Sequence, residues 1–247
     1  MKSLLITIAQ LLFALFMYAI GTVVFAIALI PGIALVLKAW SITPNLHALL
    51  RLFIIGVSLS GAYFLFGFAL IISIGLIRII FHLQLKEGDY PIFSWGALNW
   101  AFCGGLQLMI SFTFIDFILL TPFANLLLRL LGAKLGKNVQ INSKNIVDAS
   151  LLEIGDNTVI GGNATIIGHI VERGKLKLRK VKIGKNVTIG LNSVIMPGCE
   201  IGDNAVIGAS AVLLKSTNVE PRAVYFGVPA EPLKLHHHKE GSNNAGS

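Results

Sequence analysis

From Ile183 to Tyr225, apolar residues recur every six positions: Ile183, Ile189, Ile195, Ile201, Ile207, Leu213 and Val219, with Tyr225 closing the series. Glycine follows four of them directly, at Gly184, Gly190, Gly202 and Gly208. A small or modest residue stands four positions after each aliphatic: Val187, Ser193, Cys199, Ala205, Ala211, Thr217 and Ala223. An α-helix repeats its apolar positions near every ~3.6 residues, so this period excludes one. It predicts a parallel β-helix of hexapeptides, each a short strand plus a corner. The aliphatic points inward and stacks on its equivalent in the next coil. The small residue also points inward, where the corner leaves little room. Lys185-Asn186, Leu191-Asn192, Pro197-Gly198 and Asp203-Asn204 supply corners, because Asn and Gly tolerate positive φ best.

The spacing extends upstream through Ile154, Ile160 and Ile166, and again through Leu135, Ile141 and Val147. Two slips interrupt it. The step from Val147 to Ile154 is one residue too long for a hexad, which predicts a bulge. The step from Ile166 to Ile183 is one too short for three hexads, which predicts a loop leaving the coil. The chemistry is expected at that loop. About five coils of three hexads fill residues 133–235, and Pro221 to Leu235 is expected to leave the lattice.

The chain before the repeats has a different texture. Ser3 to Leu37 carries no charge over 35 residues, beyond the ~20 that span a bilayer. A signal peptide has a shorter apolar region and a small-residue cleavage site, so this segment reads as a retained anchor. Pro31-Gly32 should kink it or end its buried part. Lys38 to His47 (KAWSITPNLH) reads as a loop with Trp40 at interface depth. Leu52 to Ile77 is a second uncharged run, bracketed by Arg51 and Arg78. Residues 86–100 (KEGDYPIFSWGALNW), with turn signals and aromatics, should lie at an interface. Residues 101–120 could span, although Gly104-Gly105 and Asp116 count against it. Thr121 to Leu131 (TPFANLLLRLL) reads as amphipathic and interfacial.

Charge then bears on topology. If residues 101–120 do not cross, Lys2, Arg78, Lys86, Arg129, Lys134 and Lys137 share one side, with Lys38 and Arg51 on the other. The positive-inside rule then puts the coil in the cytoplasm behind a two-helix hairpin. If they do cross, the N-terminus is outside. The hairpin is the preferred reading. The division is therefore 1–82, a transmembrane hairpin; 83–132, an interfacial or re-entrant segment; 133–235, the β-helix; and 236–247, a polar tail.

Composition sharpens this picture. The chain is 55% hydrophobic and 13% charged, against ~25% charged in an ordinary soluble domain. The imbalance lies in residues 1–132. Cys103 and Cys199 fall in different segments, so no disulfide or metal site is expected of them. The net charge of +8 is uneven. Residues 171–182 hold Arg173, Lys175, Lys177, Arg179, Lys180 and Lys182 against Glu172 alone. From Ile170 to Lys182 the chain alternates, with Leu176 and Leu178 on one face and basic residues on the other. That is either a solvated hairpin or a lid whose charge meets phosphates of donor, carrier or lipid. His169, the only histidine of the coil region, stands at its root. A lone histidine is usually a solvated or satisfied side chain, but this position favours catalysis. Imidazole titrates near ~6.5 in water, which suits general base work at neutral pH.

The stretches GKNVQIN, IVDASLLEIGDNTVIGGNATIIGH, VKIGKNVTIGLNSVIMPGCEIGDNAVIGASAVLLK and YFGVPAEPLK resemble the hexapeptide-repeat acyltransferases with a left-handed β-helix, such as the galactoside, maltose and xenobiotic acetyltransferases. The match runs from Gly136 to Lys234, about two-fifths of the chain. GDYPIFSWGALNW, TPFANLLLRLLGAKLGKN and GHIVERGKLKLRKVKIG resemble the membrane-embedded terminal region of poly-lysine-type synthetases and their standalone relatives. The fold class implied is α + β: transmembrane helices followed by a left-handed parallel β-helix, in a homotrimer whose active sites lie between neighbouring coils.

By resemblance, His169 is the general base that deprotonates a hydroxyl or amine for attack on a thioester. The acceptor-site Asn falls on Asn142, and an acidic residue one coil before the His falls on or beside Asp148. Asp148 could orient the imidazole or bind the acceptor. Both could equally be corner residues capping backbone groups. The donor-lining backbone falls on Gly208 and Ala209, and basic residues near the nucleotide phosphates fall on Lys215 and Lys234. Thr188 and Glu231 depart from the pattern, which leaves a carrier-protein thioester open beside free CoA. No bound cofactor is implied; acyl-CoA or an acyl-carrier thioester is the co-substrate. A γ-type carbonic anhydrase would need three zinc-binding histidines around the coil, and the coil has only His169. His236, His237 and His238 lie in a tail read as disordered or as an appended remnant.

The resulting expectation is a membrane-anchored acyltransferase of a bacterial inner or cytoplasmic membrane. Its partners would be the lipid bilayer, copies of itself and conceivably a carrier protein, with no nucleic acid. Transfer would be direct, because no activated Ser or Cys accompanies the His. Three rivals stay open: an amide-forming condensation enzyme using a carrier-bound thioester, a non-catalytic trimeric membrane scaffold, and an acyltransferase acting on a surface glycan precursor.

Overall fold

The structure, a computed structural model, describes residues 2–233. Lys234 and the tail histidines named above lie outside the described residues. Two helices open the chain: α1, Lys2–Ile42, and α2, Ala48–Ile80. Both are apolar nearly all round, the pattern of a helix that meets apolar surroundings on every side. Both are long and apolar enough to cross a membrane by length and composition. They pack on each other, and small residues set the approach. A Cβ added at Gly32 would come within 2.8 Å of the Ala62 carbonyl oxygen.

The helix runs on through Pro31 and does not stop until Ile42. The loop expected from Lys38 therefore begins five residues later and covers only 43–47. In apolar surroundings a helix pairs nearly every backbone group within itself, which favours its continuation. Arg51 closes the turn by lying over the Trp40 ring, 4.2 Å from its centroid.

A third helix, α3, spans Trp95–Ser111, with Ser94 Oγ accepting from the Ala97 N–H at 3.3 Å as its N-cap. It ends at Phe112. A 3-10 turn follows at Ile115–Phe117, then α4, Pro122–Leu130, capped by Thr121. Residues 101–120 thus make a helix end and two turns rather than one continuous helix. α3 packs Leu106 and Ile110 into a core with Val24, Leu70 and Ile74. Its Gln107 amide donates to the Ile146 carbonyl of the coil at 2.5 Å. α3 is therefore shared between the helices and the coil.

The coil has three faces of parallel two- and three-residue strands. Leu135, Ile154, Ile183, Ile201 and Val219 stack along the first face. Ile141, Ile160, Ile189, Ile207 and Tyr225 stack along the second. Ile146, Ile166, Ile195 and Leu213 form the third. Their side chains, with Val187, Ser193, Cys199, Ala205 and Ala211, fill the interior. The corners at Asn186, Asn192 and Asn204 have φ of 54°, 54° and 61°, and Gly198 has 83°. At Gly190 the reason for glycine is a close approach: a Cβ there would lie 2.5 Å from the Ala209 nitrogen in the next coil.

Two expectations need correction. Ile146, not Val147, takes the inward position of the first coil; it bridges to Ile166 and is buried, while Val147 is half-buried. The cause is the following corner, where Asp148 is left-handed (φ 57°, ψ 42°) and a 3-10 turn occupies Ala149–Leu151. The lattice also persists longer than expected: Val224–Phe226 still pairs in parallel with Val206–Ile207. Only Glu231–Pro232 turns back, antiparallel, onto that strand.

The excursion after Ile166 is a β-hairpin, His169–Glu172 with Lys175–Leu178. Its outer strand pairs antiparallel with Gly88–Pro91, from the linker between α2 and α3. Leu176 and Leu178 are buried against Leu85, Ala97 and Leu151. The arm is thus not a solvated hairpin: it supplies two strands of a three-stranded sheet, with Lys175–Leu178 in the middle. It ties the linker to the coil.

Candidate active site

His169 and Asp148 leave the coil at the same edge, between the third and first faces, one turn apart. The left-handed corner aims the Asp148 carboxylate inward, where its side chain is 5% exposed. Oδ2 lies 2.6 Å from His169 Nδ1 and accepts from the Gly168 N–H at 3.0 Å. Oδ1 accepts from Trp100 Nε1 at 2.8 Å. The Trp100 ring also packs on the imidazole, with centroids 4.7 Å apart. A Cβ at Gly168 would press on Asp148 and Leu151 at 3.0–3.1 Å, so glycine fits this approach closely.

The tautomer follows from these contacts. A buried carboxylate surrounded by donors accepts a proton-bearing Nδ1, which leaves the Nε2 lone pair free. The His169 side chain is 27% exposed. An oriented, part-exposed imidazole whose Nε2 lone pair is free can take a proton from an incoming nucleophile.

The other sequence candidates divide by position. Lys215 stands at the His169 edge two coils on, but its ammonium is held by Glu172 of the arm at 2.5 Å. Lys177 holds the other Glu172 oxygen at 3.0 Å. Asn142, Gly208 and Ala209 sit at a different edge, between the second and third faces. Asn142 is exposed, and its backbone N–H donates to the Ile160 carbonyl. The Gly208 N–H donates to the Tyr225 carbonyl at 2.8 Å, and its Cα backs onto the Phe226 ring. Ala209 is exposed beside it. Within one chain the structure brings together His169 and Asp148, with Lys215 on their edge, and leaves Asn142, Gly208 and Ala209 apart.

Trp100 was not singled out by sequence reasoning. The available signal was only an aromatic in a segment expected at an interface. A groove of about 690 Å³ runs along the first face, lined by Glu153, Lys182 and Glu200 among others, and includes neither His169 nor Asp148. The chemistry is therefore not placed there.

The Glu172 clasp makes a testable prediction. Lys215 and Lys177 hold its carboxyl at about 2, below the ordinary 4.5. A depressed carboxylate pKa stabilises the folded state fully above the ordinary value, and that contribution is lost as pH falls toward 2. Amide exchange across Val171–Leu178, corrected for intrinsic rate, should show constant protection at neutral pH and a loss between 4.5 and about 2. In Glu172→Gln the step should vanish; a step that survives the substitution would refute the assignment.

Comparison with known proteins bears on the repeat region. Residues 180–215 match the model of the bacterial transferase hexapeptide (six repeats), and 152–174 that of the hexapeptide repeat of succinyl-transferase. Delta-poly-L-ornithine synthetase of Acinetobacter baumannii (strain AB307-0294) is 23% identical over 179 residues, 71% of this chain and 13% of that protein. YvoF of Bacillus subtilis (strain 168), which carries a provisional acetyltransferase name, is 34% identical over 100 residues, 38% of this chain and 58% of that one. Among solved structures, a maltose O-acetyltransferase from Clostridium difficile 630 is 23% identical, covering 61% of this chain and 93% of that chain with a TM-score of 0.45. The chain thus spans only part of the length of the curated relatives it matches. Its coil and the matched repeats make this region similar to hexapeptide-repeat transferases.

Proposed function

We propose that this chain is a membrane-anchored acyltransferase that moves an acyl group from a thioester to a hydroxyl or amine, with His169 as general base. The observation that carries the reading is the buried Asp148 carboxylate bonded to Nδ1 of a part-exposed imidazole, which leaves Nε2 for the acceptor's proton. In the step envisaged, Nε2 takes the acceptor proton as oxygen or nitrogen attacks the thioester carbon. The C–S bond breaks, a C–O or C–N bond forms, and the proton passes to the departing thiolate. Backbone amides would stabilise the oxyanion. α1 and α2 supply the anchor, with the coil on the cytoplasmic side.

Asn142 and Ala209 would serve acceptor and donor. Because they stand at a different edge from His169, a site using both sets would be completed by a neighbouring copy, which favours a homotrimer. A second reading, amide formation from a carrier-bound thioester, is favoured by the similarity over 71% of the chain to an ornithine-polymerising synthetase.

The test is donor binding and thioester consumption by detergent-purified protein with acetyl-CoA, a long-chain acyl-CoA and a loaded carrier protein. Turnover of an acyl-CoA supports acyl transfer. Turnover of the carrier alone moves the assignment to condensation. Binding of no thioester overturns both.

A further inference from the structure

Two faces of α3 meet two different environments. Trp100, Cys103 and Gln107 turn to the coil and its dyad. Trp95, Leu98, Asn99 and Phe102 turn the other way, where they line a groove of about 870 Å³ closed by α1 and by the end of α2. The volume falls in the ~300–1,000 Å³ range of small-molecule sites. Asn99 is the single polar side chain of the lining among the described residues, and its amide is already engaged by the Gln84 carbonyl at 3.1 Å. A polar ligand body would lose its hydration here without replacement bonds, whereas a hydrocarbon would not.

The groove and the dyad share a wall. Leu83 lines the groove, and Leu85, two residues on, is buried with Ala97 and Leu176 beside Trp100. At the N-terminal end of α3, Ile92, Phe93 and Trp95 are 46%, 68% and 84% exposed. Lys175 pairs in register with Pro91 just before them. Exposed aromatics beside basic side chains mark the depth at which anionic headgroups sit.

We propose that this groove holds the hydrocarbon tail of a lipid-borne acceptor, whose headgroup reaches the dyad around the first turn of α3. The inference rests on the acyl-transfer reading and names the acceptor class for it. The tail is assigned to the acceptor rather than the donor because the groove shares its wall with His169, the group that takes the acceptor's proton.

The test uses the full chain in nanodiscs of phosphatidylethanolamine and phosphatidylglycerol, with a diazirine-tailed hexadecanol as a hydroxyl-bearing probe. Photolabelling should favour Val23, Leu98 and Phe102 over the outward α2 positions Leu52 and Phe53 by about tenfold. Leu98→Trp and Val23→Trp, which fill the groove, should each remove that preference, and His169→Ala should keep it. Even labelling along both helices would mean bulk lipid only and would overturn the proposal. So would groove labelling by diazirine-tailed palmitoyl-CoA that hexadecanol cannot displace. The acyl-transfer reading fails separately, if the groove labels as expected but thioester turnover is indifferent to His169→Ala.

Discussion

His169→Ala should lower the turnover of the thioester by about 10²–10⁴-fold, the range that a positioned general base contributes. Donor affinity should change little, because the imidazole is assigned to the acceptor's proton and not to the thioester. Folding should be spared as well. The side chain is half-buried at the end of a hairpin, and the three-stranded sheet behind it is held by backbone pairing and by Leu176 and Leu178. Thermal unfolding of the variant beside wild type separates loss of chemistry from loss of structure. Turnover retained within a fewfold would remove His169 from the mechanism. An absence of turnover in both proteins, with both folded, would favour a scaffold.

The second large effect is expected of Asp148→Asn, and it is argued from donor counts. Asp148 accepts at both oxygens, from His169 Nδ1 and Gly168 on one and from Trp100 on the other. An asparagine supplies one acceptor and one donor. If the amide nitrogen faces Trp100, two donors oppose each other in a buried site. If it faces His169, Nδ1 must become the acceptor, and Nε2 then carries the proton it should receive. Either outcome leaves a buried group unpaired, at about 1–3 kcal/mol. The second also disables the base, so turnover should fall on the order of 10²–10⁴ while the imidazole is still present. Nitrogen NMR of the imidazole reads the tautomer directly. Wild type should show Nδ1–H; a variant that has lost turnover should show Nε2–H, the mark of an amide nitrogen facing His169. Full activity in Asp148→Asn would mean that Asp148 only caps the Gly168 corner.

The β-helix was legible in the sequence because its information is local. A period of six in aliphatics, with Asn or Gly at most corners, determines strand, turn and facing without distant partners. The observed φ values at Asn186, Asn192 and Asn204 are those such corners need. The two long apolar runs were legible for the same reason. His169 and Asp148 could be placed on neighbouring turns by counting along the repeat. The inward residue of the first coil could not. Whether Ile146 or Val147 enters depends on how the extra residue is absorbed, and that is decided by Asp148 adopting a left-handed conformation among contacts from Gly168 and Trp100.

The rest was settled by contacts between segments far apart in the chain. Arg179 bonds to Asp89 and to the Gly88 carbonyl, and the arm's outer strand pairs with Gly88–Pro91. An alternating basic segment carries no sign of which edge it will join, so it could be read as a solvated hairpin or as a lid. Trp100 is separated from Asp148 by 48 residues and looks like one more interfacial aromatic until the helix is docked. Both faces of α3 are apolar, so helical periodicity alone does not say which one meets the coil and which one lines the groove. The sequence by itself determined the coil, its corners, the apolar helices and the edge that carries the dyad, because each is set by short-range pattern. Only the tertiary structure decided what orients the imidazole and what lies behind it, because those contacts join elements whose sequences hold no record of one another.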